Sequence, residues 1–477
     1  DGFLAATEVK EIDAPIARAR ALIAAKAPAR AEQILLDYTP RPAQVQQYCY
    51  ALSWAYSYQG KLDASKRLVE GVLQLHPTVM LYREALRVAI LANDYSWAQQ
   101  VLDEATARGV DVGDMYFRKV ALGRKEIQSG YRSFRRIPFT RIVKTYLGEK
   151  YVQALIPGDE NRRVLIAAFF GPGDEIRFAS KYRQMRDLCG RSSVTFTADP
   201  RLAGLLQRSY PELEFAPVSR IRSLTWLQNH ANYDELPGSD LHTVFDNRGW
   251  ALACASDQVL LTTDALGDVI GGYETFEGTP YLRADPAAIA TWRERLRTFS
   301  NRPLVGLSWR SSLATYARDE HYLRVEDLQA VFESTDIQFV NLQYDDCADE
   351  LNYLEQRYPG RIVNFSDLDQ YNDLDGVAAL MSCLDLVVAP ATTVVELAGA
   401  LGRPTLLLSN SSELHWRKRP GTAIDVWHRS VTHVEGDQLG DKHSLVNALV
   451  AALQRHPAVT GTSATAPRHN FWRGAAA

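Results

Sequence analysis

After about residue 160, short apolar runs alternate with helical stretches, and this alternation limits the fold more than any other feature of the chain. The first series starts with RRVLIAAFF at 162–170, continues with SVTFTAD at 193–199 and ends with LEFAPV at 213–218. The second runs from RPLVGLSWR at 302–310 to PTLLL at 404–408. Strands that alternate with helices form parallel sheets with covered faces. The sequence therefore predicts two Rossmann-like α/β lobes that face each other across a cleft.

The residues before these lobes carry a helical pattern with an internal repeat. YSYQGKLDASKRLVEGVLQLHP and ILANDYSWAQQVLDEATARGV align so that Ala64 and Ala98 are 34 positions apart, and Gly60 then matches Asp94. A period of this length, with a turn, a small residue and an aromatic residue, is typical of stacked helix pairs. An ordinary helical domain with a coincidental period is the alternative.

These patterns divide the chain into four segments. We expect a helical repeat domain at 1–135, a first lobe at 160–285, a second lobe at 300–455 and a weakly ordered tail at 457–477. Residues 218–280 contain loop-like stretches, and their pattern predicts no fold.

Composition and charge narrow the class of function. The net charge of −4 argues against a general nucleic-acid binder, which needs a strongly basic face. The five cysteines are scattered without CxxC spacing, which indicates free thiols in a reducing compartment. No apolar stretch approaches the roughly 18 residues of a membrane span, and no signal peptide is visible, so a cytoplasmic protein is expected. The few, unclustered histidines predict no metal site, and no cofactor is expected.

In the second lobe, polar residues follow the strands, at the edge where parallel sheets bind ligands. Thr392 and Thr393 stand at the predicted start of a helix after LDLVVAP at 384–390. Unpaired N–H groups and the helix dipole favour a phosphate there. Glu396, one turn later, is placed to accept hydrogen bonds from ribose hydroxyls. Alternatively, Thr392 caps the helix and Glu396 completes a capping-box-like arrangement.

Other strand ends carry further candidates. Arg310 can pair with a phosphate through two N–H groups, and a solvated surface arginine is the alternative. Gln343 can bond a base or a backbone group, or simply cap a loop. Trp416 and Arg417 lie in the basic aromatic stretch HWRKRP at 415–420, which can close over a diphosphate or form a solvated loop.

In the first lobe, GPGDE at 171–175 directly follows the first predicted strand. Its glycines permit a tight turn, and Asp174 and Glu175 are expected to project into the cleft. A carboxylate opposite a phosphate site suits a general base that deprotonates an acceptor hydroxyl. A helix N-cap role for Asp174 is the alternative. The third glycine of GxGxxG is missing, so dinucleotide binding is not supported.

Helical repeats followed by two such lobes resemble tetratricopeptide-repeat proteins with a GT-B glycosyltransferase domain. VLIAAFFGPGDEIRF looks like the first strand of heptosyltransferases, which implies that Asp174 is the catalytic base, with Gly173 and Glu175 on the acceptor side. VGLSWRSS, FVNLQY, DLDGVAALMSCLDLVV and ATTVVELAGALG look like their donor-binding lobe, and O-GlcNAc transferase is a more distant likeness. The donor-site candidates, from this likeness and from the strand ends, are Ser308, Arg310, Ser311, Gln343, Asp375, Thr392, Thr393, Glu396, Trp416 and Arg417. By pattern alone, Asp375 fits an ordinary acidic residue of a helix start.

The chain departs from the heptosyltransferase pattern in three places. Those proteins usually have Asp-Thr at the helix entry and His before Leu-Ala, where this chain has Ala391 and Glu396. The later loop ends in WHRS at 427–430 rather than Trp-Tyr-Pro-Ser. A base or sugar other than that of ADP-heptose is therefore expected.

The resemblance implies a metal-independent, inverting glycosyltransferase. It would move a sugar from a nucleotide-sugar donor to a protein acceptor, flagellin being one candidate, or to a surface glycan, and the helical repeats would hold part of the acceptor. A catalytically inactive interaction scaffold and a sugar-nucleotide epimerase or hydrolase are the alternatives. Nucleic acid is not an expected partner, and the repeats are compatible with a homo-oligomer.

Overall fold

The computed structural model describes residues 14–221, 232–311, 322–409, 412–437 and 441–460. The first part of the chain is helical. Its helices are α1 (Pro15–Ala24), α2 (Pro28–Leu36), α3 (Val45–Ser57), α4 (Leu62–Leu75), α5 (Val79–Leu91), α6 (Tyr95–Ala107), α7 (Asp114–Gly123), α8 (Ile127–Arg132) and α9 (Pro138–Leu147).

Helices α1 to α8 form four pairs that share one turn geometry. The turns contain Lys26, Gly60, Asn93 and Lys125, with positive φ angles of 58°, 71°, 55° and 65°. In each turn the N–H of the following residue donates to the carbonyl five residues earlier, at 2.8 to 2.9 Å. This is the Schellman geometry, which ends a helix on a residue in the left-handed region. Because the turns are 34, 33 and 32 positions apart, each helix pair is one unit of a repeat.

A small buried residue recurs five positions after each turn residue. These residues are Ala31, Ser65, Ala98 and Gly130. A Cβ on Gly130 would lie 2.6 Å from a methyl group of Leu122 in the paired helix, so the small residue allows the two helices to approach.

The repeat has a register one residue away from the predicted one. Gly60 matches Asn93 rather than Asp94, and Ser65, not Ala64, matches Ala98. The hydrogen-bonded turns set the register of the repeat, whereas an alignment of identical residues pairs the two alanines. The assignment of these pairs to the tetratricopeptide class stays a prediction.

The strands of the described residues form two sheets, and they pair with one another in parallel. The first lobe contains β1 (Arg163–Ala167), α10 (Pro172–Ala179), α11 (Tyr182–Leu188), β2 (Ser193–Ala198), α12 (Pro200–Ser209), β3 (Glu214–Pro217), α13 (Asn247–Ala255), β4 (Gln258–Leu261) and α14 (Thr262–Val269). Helix α15 (Pro286–Arg297) follows the connection between the lobes.

The second lobe contains the other sheet. Its elements are β5 (Leu304–Leu307), α16 (Gln329–Ser334), β6 (Gln338–Asn341), α17 (Ala348–Arg357), β7 (Ile362–Val363), α18 (Leu374–Met381), β8 (Leu386–Pro390), α19 (Thr393–Ala400), β9 (Thr405–Leu408), β10 (Val431–Val434), α20 (Lys442–Arg455) and α21 (Pro457–Thr460). The predicted mixed architecture of helices and parallel sheets is confirmed. Of the predicted tail, α21 is described, and 461–477 lie outside the described residues.

Strand order fixes where each sheet can bind a ligand. The first sheet has the order β3-β2-β1-β4 and the second the order β10-β9-β8-β5-β6-β7. The direction of winding reverses between β1 and β4 in one sheet and between β5 and β8 in the other. A crevice forms outside the carboxyl ends of the strands at such a reversal.

Two strands were not predicted from sequence. Strand β4, with the sequence QVLL, lies within 218–280 and pairs with β1, and β10 carries the sequence VTHV. Both are four residues long, and each is next to polar residues. Strand β5 is equally short, but it lies within the longer apolar run PLVGL, whereas β4 and β10 are not part of a longer apolar run and their boundaries are not clear from the sequence.

The two lobes share a hydrophobic core. Helix α10 packs against α19 and α12 packs against α18, so that Phe178, Leu202, Val377 and Leu397 belong to one buried cluster. These helix contacts join the two lobes through buried apolar side chains.

The helical region is attached to both lobes. Helix α8 and the 3-10 segment Ser133–Arg136 pack on α14, while α5 and α7 contact the 3-10 segment Ser412–Arg417 of the second lobe. Arg135 donates to the Asp264 carbonyl at 3.0 Å and pairs with Asp268 at 2.6 Å.

Asp264 is a fully buried carboxyl group in the first turn of α14. Its Oδ2 accepts a hydrogen bond from the Tyr151 hydroxyl and another from the Leu261 N–H at 3.3 Å. Burial raises the pKa of Asp264 to about 7, and these bonds offset only part of the effect. Since this pKa lies above the usual 3.8, the folded chain takes up a proton, and stability falls as the pH rises from about 4 to about 7.

We expect Asp264→Asn to remove this loss of stability. Relative to wild type, the variant should gain up to about 1.4 kcal/mol per pH unit across that interval, because the amide carries no charge to bury. Urea unfolding at a series of pH values measures the difference. Asp187→Asn, at an exposed carboxylate of the same lobe, is the control. Parallel stability curves for Asp264→Asn and wild type would contradict the assignment.

Candidate functional site

The crevices of the two sheets meet where the first turns of α10 and α19 touch. Helix α10 follows β1, and α19 follows β8. A Cβ on Gly173 would lie 3.1 Å from Oγ1 and 3.2 Å from Cα of Thr393, so the side-chain-free position permits this approach. The unpaired N–H groups and the positive dipole ends of both helices are therefore next to each other.

Thr392 is the N-cap residue of α19, but its side chain caps no N–H group. Its Oγ1 is buried and has no hydrogen-bond partner among the described residues. The capping-box alternative is therefore not found, and the N–H groups of the first turn are not used by a side chain of the helix.

Glu396, one turn further along α19, is paired with other side chains of the protein. Its Oε1 accepts from Arg417 at 2.8 Å and from Arg177 at 3.4 Å, and its Oε2 lies 2.9 Å from His428 Nε2. Burial opposes its charge, but Arg417, Arg177 and His428 outweigh burial and hold its pKa at about 2. The predicted bonds to ribose hydroxyls stay a prediction, and they would require Glu396 to exchange these partners.

The same network continues within the second lobe, from Arg417 to Asp425 and His433. Arg417 Nε donates to Asp425 Oδ2 at 2.9 Å, and His433 bridges that oxygen at 3.1 Å and Ser409 at 3.0 Å. Burial opposes ionisation of Asp425, yet Arg417 and His433 hold its pKa well below the usual value. Arg417 is only 2% exposed, so the solvated-loop alternative does not apply to this residue.

Trp416 lies beside this network. Its ring packs edge-on against Tyr131 of the helical region, with centroids 6.1 Å apart. Its carbonyl accepts from the Tyr273 hydroxyl at 2.8 Å.

A second cluster of predicted residues lies at the carboxyl end of β5. Gln343 Oε1 accepts from Ser308 Oγ at 3.1 Å and from the N–H groups of Trp309 and Arg310, both at 3.2 Å. Its Nε2 donates to the Arg310 carbonyl at 3.0 Å. Gln343 therefore fixes the loop after β5. Ser311 Oγ lies 3.1 Å from Tyr344 Oη.

Arg310 is neutralised by two acidic residues. Its guanidinium group pairs with Asp345 and Glu350, and Nε donates to Glu350 Oε1 at 2.9 Å. A phosphate would have to compete with both carboxylates for this arginine, so its predicted phosphate contact stays a prediction.

Asp375 of the second lobe pairs with an arginine of the first lobe and so connects the two lobes. Arg208 of α12 donates to both of its oxygens, at 2.8 and 2.7 Å. Asp373, not Asp375, caps α18 through the Gly376 N–H at 2.8 Å.

Asp174 and Glu175, the two predicted acidic residues of the first lobe, differ in their exposure to solvent. Asp174 pairs with Arg177, and its side chain is 37% exposed. Glu175 is fully buried, pairs with Arg220 and accepts from the Asp199 N–H at 2.8 Å. Burial raises the pKa of Glu175, while Arg220 opposes the rise. Gly171 is the N-cap of α10, so the N-cap alternative for Asp174 is not found.

The structure thus brings Gly173, Asp174, Thr392 and Thr393 to one edge, through the contact of α10 with α19. Arg177 and His428, which hold Glu396, are not among the residues predicted from the sequence. Only Arg177 left a signal, because it lies three positions after Asp174 on the same helix face.

We expect Glu396→Gln to lower the free energy of unfolding by about 3–5 kcal/mol, because the buried Arg417 and the partly buried Arg177 lose the anion that they share. The pKa of Glu396 lies below its usual 4.5. The loss should therefore be complete above pH 4.5 and shrink as the pH falls towards 2. Denaturant unfolding at several pH values measures it.

Asp367→Asn is the matched control. This carboxylate also pairs with an arginine, Arg295, at 2.7 Å, but on the surface, and should cost less than about 1 kcal/mol. Equal losses in the two variants would show that the Glu396 network does not stabilise the fold as described.

Within the described ranges, no group of three or more His, Cys, Asp or Glu side chains is placed to hold a metal ion. No helix in those ranges has the length and apolar character needed to cross a bilayer.

No protein-family model matches the chain. Among curated proteins, it is 27% identical over 306 residues to Protein FlbA of Caulobacter vibrioides. The match covers 61% of this chain, which spans about half (46%) of the length of FlbA.

Among solved structures, the chain is similar to a family 9 glycosyl transferase from Veillonella parvula, with 11% identity and a TM-score of 0.42 over 62% of this chain and 98% of that one. The ADP-heptose lps heptosyltransferase II of E. coli is 14% identical, with a TM-score of 0.39, and the match covers 61% of this chain and 98% of that one. A mutant O-GlcNAc transferase from Thermobaculum terrenum is 11% identical, with a TM-score of 0.28, and the match covers 94% of this chain and 89% of that one. All three TM-scores lie below 0.5, and the fold assignment therefore rests on the sheet topology described above.

Proposed function

We propose that this protein is a nucleotide-sugar-dependent glycosyltransferase with a GT-B arrangement of its two lobes. The observation that supports it best is the meeting of two crevices at the Gly173–Thr393 contact, where the Thr392 hydroxyl has no partner among the described residues. A helix N-terminus with unused N–H groups suits the diphosphate of a nucleotide sugar.

In this proposal the second lobe stabilises the leaving group. The first-turn N–H groups of α19 and the hydroxyls of Thr392 and Thr393 would donate to the diphosphate oxygens. Charge builds up on these oxygens as the bond to the anomeric carbon breaks, and fixed donors and dipoles stabilise that charge without reorganising. No metal ion is required for this part of the reaction.

The first lobe would supply the general base. Asp174 is the better candidate of the two acidic residues, because Glu175 is fully buried and paired with Arg220. Asp174 would take the proton of the acceptor hydroxyl while its oxygen attacks the anomeric carbon opposite the leaving diphosphate, which inverts the configuration. Arg177 would orient the Asp174 carboxylate.

The helical region would hold part of the acceptor. Stacked helix pairs form an extended surface, and α5 and α7 contact the segment Ser412–Arg417 of the second lobe. A bound polypeptide, flagellin being one candidate, or a surface glycan would then lie close to the inter-lobe edge.

A non-catalytic interaction scaffold is the second candidate. It is favoured by the internal ion pairs of Arg310 and Glu396, two residues that the resemblance assigns to the donor site. The two functions differ in whether the chain binds a nucleotide.

We expect one family of nucleotides, among UDP, GDP, ADP, CMP and their sugar conjugates, to raise the melting temperature selectively. A ligand at 100 times its Kd stabilises the native state by about 2.7 kcal/mol. Thr392→Val should weaken this shift, because it removes a donor but keeps the shape of the side chain. Thr145→Val, at an exposed helical threonine, should not. If folded wild-type protein responds to no nucleotide, the scaffold function is favoured.

We expect Asp174→Asn to lower turnover by roughly 10²- to 10⁴-fold, the usual contribution of a general base. Nucleotide binding should be retained, because the base does not hold the donor. The assay is release of sugar from the matching nucleotide sugar, with water as acceptor, and the anomeric configuration of the product is read by NMR. Asp187→Asn should keep wild-type turnover. Full turnover of Asp174→Asn would remove this residue from the role.

A further inference from the structure

The first helices of the four helix pairs, α1, α3, α5 and α7, form one continuous layer. Helix α1 contacts α3, α3 contacts α5, and α5 contacts α7. We call these four helices the first-helix layer. Because α5 and α7 also contact Ser412–Arg417, the layer is attached to the second lobe.

The first-helix layer is basic, although the whole chain has a net charge of −4. The layer contains six basic and two acidic residues, whereas the second helices of the pairs contain four basic and five acidic residues. The charged residues of the layer are Arg18, Arg20, Arg83, Arg87, Arg118, Lys119, Glu84 and Asp114. Positive charge is therefore concentrated on one of the two layers of the helical region.

Glu84 does not offset this charge at the surface, because it is buried and used inside the layer. Its carboxylate pairs with Arg87 at 2.6 Å and accepts from Trp54 Nε1 at 3.1 Å. Arg87 also lies over the Trp54 ring, 4.3 Å from the ring centroid. The indole N–H of Trp54 is therefore satisfied, and the residue can offer only ring surface to a partner.

Two tyrosines continue the ring surface of Trp54 along α3. The centroid of the Trp54 ring is 5.6 Å from that of Tyr50 and 5.7 Å from that of Tyr58. All three side chains are half-buried, so each still exposes part of its ring. A row of aromatic side chains therefore runs along the face of α3.

Two exposed arginines lie near these rings. Burial raises the pKa of Tyr50, and the charge of Arg20 on α1 is among those that oppose the rise. Burial likewise raises the pKa of Tyr116 on α7, and Arg83 on α5 opposes it. Neither arginine pairs with an acidic side chain in the described parts of the chain, and Arg83 donates there only to the Val112 carbonyl, at 3.0 Å. Both guanidinium groups can therefore pair with an anionic group of a partner.

These arginines and rings form one surface across the four helices. We call it the basic aromatic face, and its members are Arg20, Tyr50, Trp54, Tyr58, Arg83 and Tyr116. Guanidinium groups pair with carboxylates, and tyrosine, tryptophan and arginine are the side chains most enriched where proteins bind one another. The hydroxyl groups of a glycan need acceptors as well as donors, but the carboxylate of Glu84 is already used inside the layer. The face therefore suits an acidic polypeptide better than a glycan.

We propose that the basic aromatic face binds an acidic segment of a polypeptide acceptor. This rests on the proposed function for the reaction that the bound polypeptide undergoes. It goes beyond that function in choosing polypeptide over surface glycan and in stating the charge that the helical region selects.

The test selects binders of the whole chain from a random peptide library displayed on phage. The most enriched peptide is then synthesised, and its Kd is measured by calorimetry for wild type and two double variants. The first variant, Arg20→Glu with Arg83→Glu, reverses the two exposed charges of the face. The second, Arg30→Glu with Arg67→Glu, makes the same change at exposed arginines of α2 and α4 and is the matched control. A hyaluronan oligosaccharide serves as the anionic glycan probe.

We expect wild type to enrich peptides in which Asp and Glu outnumber Lys and Arg and alternate with apolar or aromatic residues. The first variant should raise the Kd of the selected peptide roughly tenfold or more, because two attractive charges become repulsive. The control variant should keep the Kd, and added salt should weaken binding to wild type because it screens exposed charges.

Thermal unfolding without peptide checks that both variants are folded. If the first variant melts early because Arg83 no longer bonds the Val112 carbonyl, Arg20→Glu alone replaces it and should still raise the Kd.

Enriched peptides without an excess of acidic residues, or equal Kd values in the two double variants, would overturn the proposal. Binding of the hyaluronan probe through Arg20 and Arg83, without any selected peptide, would overturn it in favour of a glycan. If an acidic peptide depends on these arginines but no nucleotide raises the melting temperature, the face is right and the glycosyltransferase function is wrong. If a nucleotide raises it and the first variant binds peptide as wild type does, the reverse holds.

Discussion

The carboxylate of Glu396 is the point on which the contact of the lobes depends. Arg177 comes from the first lobe and Arg417 from the second, and both reach the same oxygen of Glu396. Two guanidinium groups this close and this buried would repel each other without a shared anion. Because Glu396 is one turn from Thr393, the same ion pairs that join the lobes also fix the N-terminus of α19 against α10.

This arrangement separates two groups of residues near the strand ends, those that are paired inside the chain and those that are not. The charged side chains one turn inside the helices join the lobes, whereas the Thr392 hydroxyl at the start of α19 has no partner among the described residues. Ligand sites tolerate such unsatisfied groups because the ligand completes them. The helical region also contacts the second lobe, because the Tyr131 ring packs against Trp416.

Much of the fold could be predicted, but less of the site. The long apolar runs of β1 and β8 predict parallel strands. Asp174 and Thr392 follow these runs in the sequence, which places them after the strand ends. Strands β4 and β10 are not part of a longer apolar run, and the sequence around them marks no clear boundary. The partners of Glu396 are 21, 32 and 219 positions away in sequence, so no local pattern connects them. For the same reason, the pairing of Arg310 with Glu350, 40 positions away, could not be anticipated.

The sequence by itself determined most of the helices, the strands other than β4 and β10, the parallel character of the sheets, and the side chains that follow the predicted strands, because hydrophobic periodicity and turn residues act over a few positions. Only the tertiary structure decided which of those side chains are free to meet a ligand. Ion pairs and burial depend on residues that chain folding brings together from distant positions, and the same arginine or glutamate can be a ligand contact or a buried pair depending on what packs against it.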